Sequence, residues 1–208
     1  MKLVDLKVSE FMQVLGSNEP APGGGSASAL AAAMGISLTK MVCELTVGKK
    51  KYVEFETDVQ VCLDKTIILQ EKLLKAIDDD TEAFNVVSAV FSMPKETDEE
   101  KVARQKAMQN ALKVAAKSPL DLMEIILDAL NTTKSIIGKS NTNAASDLGV
   151  AALNLKSGLQ GAYLNVLINL SSIKDDAFVS EYKASSDRLL ETGIVLADDI
   201  YEQILKTL

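Results

Sequence analysis

Hydrophobic residues recur every three to four positions along almost the whole of this 208-residue chain. No segment shows the sustained alternation of apolar and polar residues that a half-buried strand would have. A spacing of three to four is typical of helices that bury one face. We therefore predict an all-α fold without a sheet: a single domain over residues 1–208, built as a bundle of about seven helices, several of them very long.

Capping and breaking residues divide the pattern into seven predicted helices. Thr97-Asp-Glu-Glu100 is a capping box that begins the fourth helix. Pro119 is expected at the first position of a fifth helix capped by Ser118, because a missing N–H is tolerated there. The predicted ranges are about 8–15, 26–46, 52–92, 98–117, 119–137, 144–171 and 176 to nearly the C-terminus.

The segment from Pro20 to Ser26 is the most unusual stretch of the chain. Its two prolines stiffen the backbone, and the three glycines that follow remove the steric limits on it. An Ala-rich helix comes next, and the N–H groups at a helix N-terminus are free to bind a ligand. The predicted ligand-contacting residues of this glycine loop are Pro22, Gly23, Gly24, Gly25 and Ser26. No strand precedes the loop and the lysine of a nucleotide-binding P-loop is absent, so a different ligand is expected.

Composition narrows the partners and the compartment. The net charge of -7 argues against a nucleic-acid partner, and no basic amphipathic segment suggests a membrane surface. The N-terminal residues MKLVDLKVSEF lack the apolar run of a signal peptide. Only two cysteines are present, Cys43 and Cys62, both in predicted helices, so buried free thiols are expected rather than disulfides or a zinc site. We predict a cytoplasmic protein.

Asp80 is the most conspicuous ionisable residue. Because the chain has no histidine, proton transfer must use Asp, Glu, Lys, Tyr or water. Asp80 is the one ionisable residue on an apolar stripe that consists of Leu69, Leu73, Ile77, Asp80, Phe84, Val87 and Phe91. Burial and acidic neighbours would raise its pKa toward neutrality, as a general acid or base requires. Alternatively, Asp80 binds the end of a neighbouring helix; Asp78, Asp79 and Glu82 are expected to be solvated.

A polar face on the sixth predicted helix is the second candidate. Its members, spaced by three and four, are Asp147, Ala151, Asn154, Gly158, Gly161, Asn165 and Asn169. Close packing against another helix accounts for Gly158 and Gly161. The amides of Asn165 and Asn169 need partners inside an apolar bundle, and a polar ligand or the glycine loop could supply them.

The basic run that follows the second predicted helix has two interpretations. It comprises Lys49, Lys50 and Lys51, followed by Tyr52, directly after Gly48. Glycine and lysines after a helix can cap it and complement its dipole. In an otherwise acidic protein they can equally bind a substrate that carries carboxylates. The pattern alone leaves both open.

Together these segments resemble the C-terminal family of formiminotransferase-cyclodeaminases, which includes stand-alone methenyltetrahydrofolate cyclohydrolases. The resemblance covers nearly the whole chain in order, without the formiminotransferase half of the bifunctional enzymes. The motifs that carry it are PAPGGGSASALAAAMG at 20–35, GKKKY at 48–52, DDDTEAF at 78–84, MPKETDEE at 93–100, SDLGVAA at 146–152 and GAYLNVLINL at 161–170.

The resemblance implies an all-α homodimer, at least, that works without a metal, a nucleotide or any cofactor beyond its tetrahydrofolate substrate. The family takes the second acid of its D-x-D-x-x-A-F/Y motif as catalytic, which gives that role to Asp80. The glycine loop and the helix that bears Asp147, Asn165 and Asn169 would form the folate pocket, and the lysines at 49–51 would meet the glutamate tail.

The expected reaction is hydrolysis of 5,10-methenyltetrahydrofolate to 10-formyltetrahydrofolate. Cyclodeamination of 5-formiminotetrahydrofolate, with release of ammonia, acts at the same carbon, and the motifs do not separate the two reactions. A third alternative is a folate-binding subunit without catalytic activity.

Overall fold

The computed structural model describes residues 2–208, and in that range the chain forms six α-helices and no strand. The helices are α1 (Val8–Leu15), α2 (Gly24–Glu44), α3 (Glu56–Phe91), α4 (Asp98–Lys134), α5 (Ala145–Leu170) and α6 (Asp176–Leu205). Short 3₁₀ segments occur at Leu3–Asp5, Lys50–Phe55 and Thr142–Ala144. The predicted all-α bundle is confirmed, with six helices in place of about seven.

Helix α2 packs between α3 and α5 and runs antiparallel to both. Its first turn contacts the C-terminal halves of its neighbours, because Ser26 binds Asp80 of α3 and Gly24 lies against Asn165 of α5. Helix α4 packs on α3 and α5, and α6 packs on α5 and α4. The start of α2 is therefore enclosed by the ends of two long helices, and this is where the candidate site forms.

Small residues bring the backbones of α2 and α5 close together. A Cβ on Gly158 would lie 2.8 Å from the carbonyl oxygen of Ser28, and one on Gly161 would lie 2.2 Å from the Ser28 Oγ. A Cβ on Gly35 would lie 2.9 Å from the carbonyl oxygen of Ala151. Larger side chains would push the two helices apart, so the predicted role of Gly158 and Gly161 in close packing is confirmed.

Pro119 does not begin a new helix, which corrects the prediction of a break at Ser118. Helix α4 continues through the proline from Asp98 to Lys134. A proline inside a helix leaves the carbonyl four residues earlier without its usual N–H donor. Here that carbonyl, on Ala115, accepts a hydrogen bond from Asn169 Nδ2 of α5 at 2.9 Å. The helix therefore keeps its hydrogen bonding where the sequence suggested an interruption.

Helix α2 is also the one helix in residues 2–208 that is long and apolar enough to cross a membrane. Of its most apolar window, 56% is buried inside the bundle. Much of the apolar surface of α2 thus serves packing against α3 and α5.

Cys43, near the C-terminal end of α2, lies beside Cys62 of α3. Both are buried free thiols, as predicted, with their Sγ atoms 3.4 Å apart.

Candidate active site

The carboxylate of Asp80 is anchored where α3 passes the N-terminus of α2. Its Oδ2 lies 2.9 Å from the backbone N of Ser26, which donates to it, and 3.1 Å from the Ser26 Oγ. The same Oγ is 2.8 Å from the carbonyl oxygen of Ile77. Because a hydroxyl has one proton to donate, these two acceptors share it. For one oxygen of Asp80, the structure therefore agrees with the alternative interpretation: Oδ2 binds the N-terminal end of a neighbouring helix, α2.

The second oxygen of Asp80 is free. Oδ1 accepts no hydrogen bond from residues 2–208, and no buried side-chain oxygen or nitrogen in that part of the chain lacks a partner. Oδ1 therefore faces accessible space. Burial raises the pKa of the Asp80 carboxyl, and the hydrogen bonds from Ser26 oppose that shift only in part.

Acidic neighbours do not contribute to this shift, which corrects part of the sequence prediction. Asp78 accepts a hydrogen bond from the backbone N of Leu3 at 2.6 Å, and Asp79 forms an ion pair with Lys75. Glu82 is exposed to solvent, as expected. The raised pKa of Asp80 thus has burial as its cause.

A cavity of about 230 Å³ opens beside Asp80. The side chains that line it include Asp80, Phe84, Val87, Leu112, Asn165 and Asn169. The glycine loop forms another wall through Gly23 and Gly24. Leu112 and its neighbour Ala115 were missed by the sequence reasoning, because apolar residues at helical spacing give no signal that distinguishes a cavity wall from the core.

The glycine loop is shaped around the two polar side chains it faces. A Cβ on Gly25 would lie 1.9 Å from Asp80 Oδ1, and one on Gly24 would lie 3.3 Å from Asn165 Nδ2. The N–H groups of Gly24 and Gly25 donate to no acceptor in residues 2–208. Pro22 is buried and does not line the cavity. Only glycine at position 25 leaves the carboxylate in its observed place.

Asn165 and Asn169 both lie on the cavity wall, with their amide nitrogens already bonded. Asn165 Nδ2 donates to the carbonyl oxygen of Gly161 in its own helix at 2.9 Å. Asn169 Nδ2 donates to Ala115 of α4. The Oδ1 atom of each accepts nothing from residues 2–208. The predicted need for partners is thus met by backbone carbonyls, and two amide oxygens stay available to a ligand.

The lysine run and Asp147 lie at the opposite end of the bundle from Asp80. They adjoin the C-terminal end of α2, whose 21 residues span about 30 Å at 1.5 Å per residue. The Tyr52 Oη accepts a hydrogen bond from the Thr142 backbone N at 3.0 Å, and the two hydrogen bonds with Thr142 lower the pKa of Tyr52 to about 8. Within one chain, these residues do not share the Asp80 cavity.

Comparison with known proteins identifies relatives along almost the whole chain. Residues 7–188 match the sequence model of the family described as formiminotransferase-cyclodeaminase. A methenyltetrahydrofolate cyclohydrolase of Methylorubrum extorquens is 41% identical over 197 residues, which is 95% of each protein. The formimidoyltransferase-cyclodeaminase of Rattus norvegicus is 32% identical over 91% of this chain, which spans 35% of that longer protein.

A solved structure gives the same result for the fold. The crystal structure of a formiminotetrahydrofolate cyclodeaminase from Thermotoga maritima matches with a TM-score of 0.81 at 28% sequence identity, and the match covers 100% of this chain and 98% of that one. Both the sequence and the helical architecture therefore agree with the same group of proteins. This chain is a member of the formiminotransferase-cyclodeaminase family.

Proposed function

We propose that this protein is a methenyltetrahydrofolate cyclohydrolase, which converts 5,10-methenyltetrahydrofolate and water to 10-formyltetrahydrofolate. The observation that carries the proposal is the Asp80 carboxylate, which has one oxygen anchored by Ser26 and the other free beside a cavity. The relative that is 41% identical over 95% of the chain bears this activity in its name, which supports the choice of reaction.

The reaction requires the enzyme to supply a proton acceptor, whereas the substrate itself is the electrophile. The bridging carbon of the substrate is part of a cation, so it already attracts a nucleophile. Water attacks that carbon while Asp80 takes one of its protons. The tetrahedral intermediate then collapses: the bond from carbon to N5 breaks and N5 takes the proton from Asp80. The hydroxyl releases its own proton to solvent and becomes the formyl oxygen, which accounts for the one proton that the reaction of a cation with water must release. A carboxyl with a raised pKa suits both transfers.

The cavity walls supply groups for holding the pterin. The free N–H groups of Gly24 and Gly25 can donate to its carbonyl oxygen, and the amide oxygens of Asn165 and Asn169 can accept from its N–H groups. These groups belong to helix backbones and to amides that are already fixed by a hydrogen bond. Such fixed groups position a ligand at little reorganisation cost. The reaction needs no cofactor beyond the substrate.

Spectrophotometric turnover of 5,10-methenyltetrahydrofolate, corrected for its spontaneous hydrolysis, tests the proposal. The purified protein is expected to accelerate hydrolysis, and Asp80→Asn is expected to lower kcat by at least about a hundredfold in a protein that remains folded. A folded Asp80→Asn variant with activity near that of the wild type would remove Asp80 from the mechanism.

Formiminotetrahydrofolate cyclodeaminase activity is the second candidate. The solved structure with a TM-score of 0.81 bears that name, and the chemistry takes place at the same carbon. Both substrates should therefore be assayed in parallel, with ammonia release as the readout for the second. Tetrahydrofolate binding without turnover of either substrate would instead indicate a non-catalytic folate-binding subunit.

We propose that the protein acts in the cytoplasm. We also propose that its partner is a second copy of this chain. Met34 and Met41 are 48% and 38% exposed on the outer face of α2, where they line an apolar groove of about 500 Å³ together with Leu30, Leu38 and Leu74. An isologous interface joins the same face of both copies, so an apolar stripe along one helix can pair with itself. Light scattering is expected to report a dimer, and Met34→Glu with Met41→Glu should convert it to a monomer.

A further inference from the structure

A groove along α3 and α4 adjoins the Asp80 cavity. On α3, Val87 lines the cavity, and Phe91, four residues later, lines a groove of about 320 Å³. On α4, Leu112 lines the cavity, and Met108, four residues earlier, lines the groove. Residues four apart lie on the same face of a helix. The cavity and the groove therefore occupy adjoining parts of the same two helix faces.

The groove is basic, although the chain as a whole carries a net charge of -7. Its lining includes Lys95, Lys101 and Arg104. Lys101 pairs with Asp98 at 3.0 Å, and both side chains are largely exposed, so this pair contributes little. In residues 2–208, neither Lys95 nor Arg104 has a carboxylate at ion-pair distance. The groove therefore retains unpaired positive charge that would attract an anion.

Arg104 is held in position by the last turn of α3. Its Nε donates to the carbonyl oxygen of Val90 at 3.1 Å, and its Nη2 donates to that of Phe91 at 3.4 Å. A guanidinium has five N–H donors, so three are left for a ligand. An arginine fixed in this way binds a carboxylate with little loss of side-chain freedom.

Phe91 adds an exposed aromatic surface to the groove. It is 65% exposed, although phenylalanine is usually among the most buried residues. Along α3 it follows Asp80 by 11 positions, which corresponds to about 16 Å at 1.5 Å per residue. The aryl ring of the substrate is bonded to N10, which is itself bonded to the reacting carbon. With that carbon at Asp80, the ring stays beside the cavity, and the glutamate is the part that extends toward Phe91 and the basic residues.

We propose that this groove binds the glutamate end of the folate substrate. Phe91 packs against the methylene groups of the glutamate, and Lys95 and Arg104 bind its carboxylates. The identity of the ligand rests on the proposed function. The lysine run at 49–51, predicted from the sequence to bind these carboxylates, is about 30 Å from the cavity along α2 of the same chain, so we assign the carboxylates to the groove instead.

Direct binding measurements test the groove. Calorimetry would compare tetrahydrofolate with a tetrahydropterin that lacks the aminobenzoyl-glutamate group, using the wild type, Lys95→Gln and Arg104→Gln. Each variant is expected to bind tetrahydrofolate about tenfold more weakly, as for the loss of one charge-assisted hydrogen bond, and to bind the tetrahydropterin unchanged. KM for methenyltetrahydrofolate should rise by a similar factor while kcat stays constant. Lys95 makes no hydrogen bond or ion pair in the described chain, so it carries the test if Arg104→Gln loses thermal stability.

Two control variants decide the outcome. Lys106→Gln removes an exposed charge from α4 outside the groove and should have no effect on either ligand. The triple variant Lys49→Gln, Lys50→Gln and Lys51→Gln should also bind tetrahydrofolate normally. The proposal is overturned if Lys95→Gln and Arg104→Gln bind like the wild type, if the triple variant is the weakened one, or if the wild type binds both ligands equally. A wild type that binds tetrahydrofolate through the groove but turns over neither substrate would refute the proposed reaction alone.

Discussion

The side-chain amide of Asn169 donates a hydrogen bond to the carbonyl oxygen of Ala115 at 2.9 Å. In an uninterrupted helix that carbonyl would accept from the N–H of residue 119, but Pro119 has none. A side chain of α5 thus replaces the hydrogen bond that proline removes from α4. Because Asn169 also lines the Asp80 cavity, the same contact fixes one wall of the site.

Asn169→Ala is expected to lower the free energy of unfolding by about 1–3 kcal/mol, because it leaves the buried Ala115 carbonyl without a donor. In a Pro119→Ala background, the restored N–H of residue 119 can bond to Ala115, and the same substitution should cost less. A double-mutant cycle by chemical denaturation measures this coupling. Strictly additive effects would show that the amide of Asn169 does not compensate for the proline.

Gly25→Ala is expected to displace the Asp80 carboxylate, because the new Cβ would lie 1.9 Å from Oδ1. A displacement of about 1 Å in a catalytic group can lower the rate about a hundredfold, and we expect a loss of that order in kcat. Gly193→Ala is the matched control: its Cβ would lie 2.3 Å from Leu159 Cδ2 in the core. That variant should lose thermal stability and keep its kcat. Equal losses of activity in the two variants would mean that Gly25 acts only through packing.

Local signals in the sequence were sufficient for most helix ends. Helix α1 covers the predicted Val8–Leu15, and the side chains of Thr97 and Asp175 cap α4 and α6 as expected. The break predicted at Pro119 was wrong because the compensating amide belongs to Asn169, 50 positions later and on another helix. A single proline has a predictable local effect, whereas its compensation depends on the tertiary structure.

The candidate site was predictable in its chemistry and less so in its distances. Asp80 stands out in the sequence as a lone acid on an apolar stripe, and the structure places its carboxylate on Ser26 of the glycine loop. The run Lys49–Lys51 has the right charge for a folate tail, but within one chain it lies a helix length from Asp80. Charge and residue type are visible in a sequence, while the length of α2 determines which residues can meet.

Asp80→Asn is expected to leave the protein at least as stable as the wild type at neutral pH. Burial raises the pKa of Asp80, so the folded state holds this proton more tightly than the unfolded state. Stability from this group is therefore present in acid and lost as the pH rises through the folded pKa. A neutral asparagine avoids that loss, so the advantage of the variant should disappear in acid. Denaturation curves of both proteins in acid and at neutral pH measure it.

Asp175→Asn supplies a control of opposite sign. The pKa of Asp175 is lowered mainly by a hydrogen bond from Lys113. The ionised carboxylate of Asp175 therefore stabilises the folded state above the usual pKa of an aspartate, and this stability is lost as the pH falls. This variant should be less stable than the wild type at neutral pH. A loss of stability at neutral pH in both variants would contradict the raised pKa of Asp80.

Ser26→Ala is expected to shift the pH dependence of catalysis. The variant keeps the backbone N–H that binds Asp80 and loses the Oγ donor 3.1 Å from Oδ2. Because hydrogen bonds from Ser26 lower the pKa of Asp80 against the effect of burial, removing one raises that pKa further. If Asp80 accepts the proton from water, kcat/KM falls as the pH decreases through this pKa, so the decline should begin at a higher pH in the variant.

Ser28→Ala is the control. It removes a hydroxyl that donates to the Gly24 carbonyl at 2.7 Å and does not contact Asp80, so its pH profile should match that of the wild type. Coincident acidic limbs for Ser26→Ala and the wild type would assign that limb to a group other than Asp80.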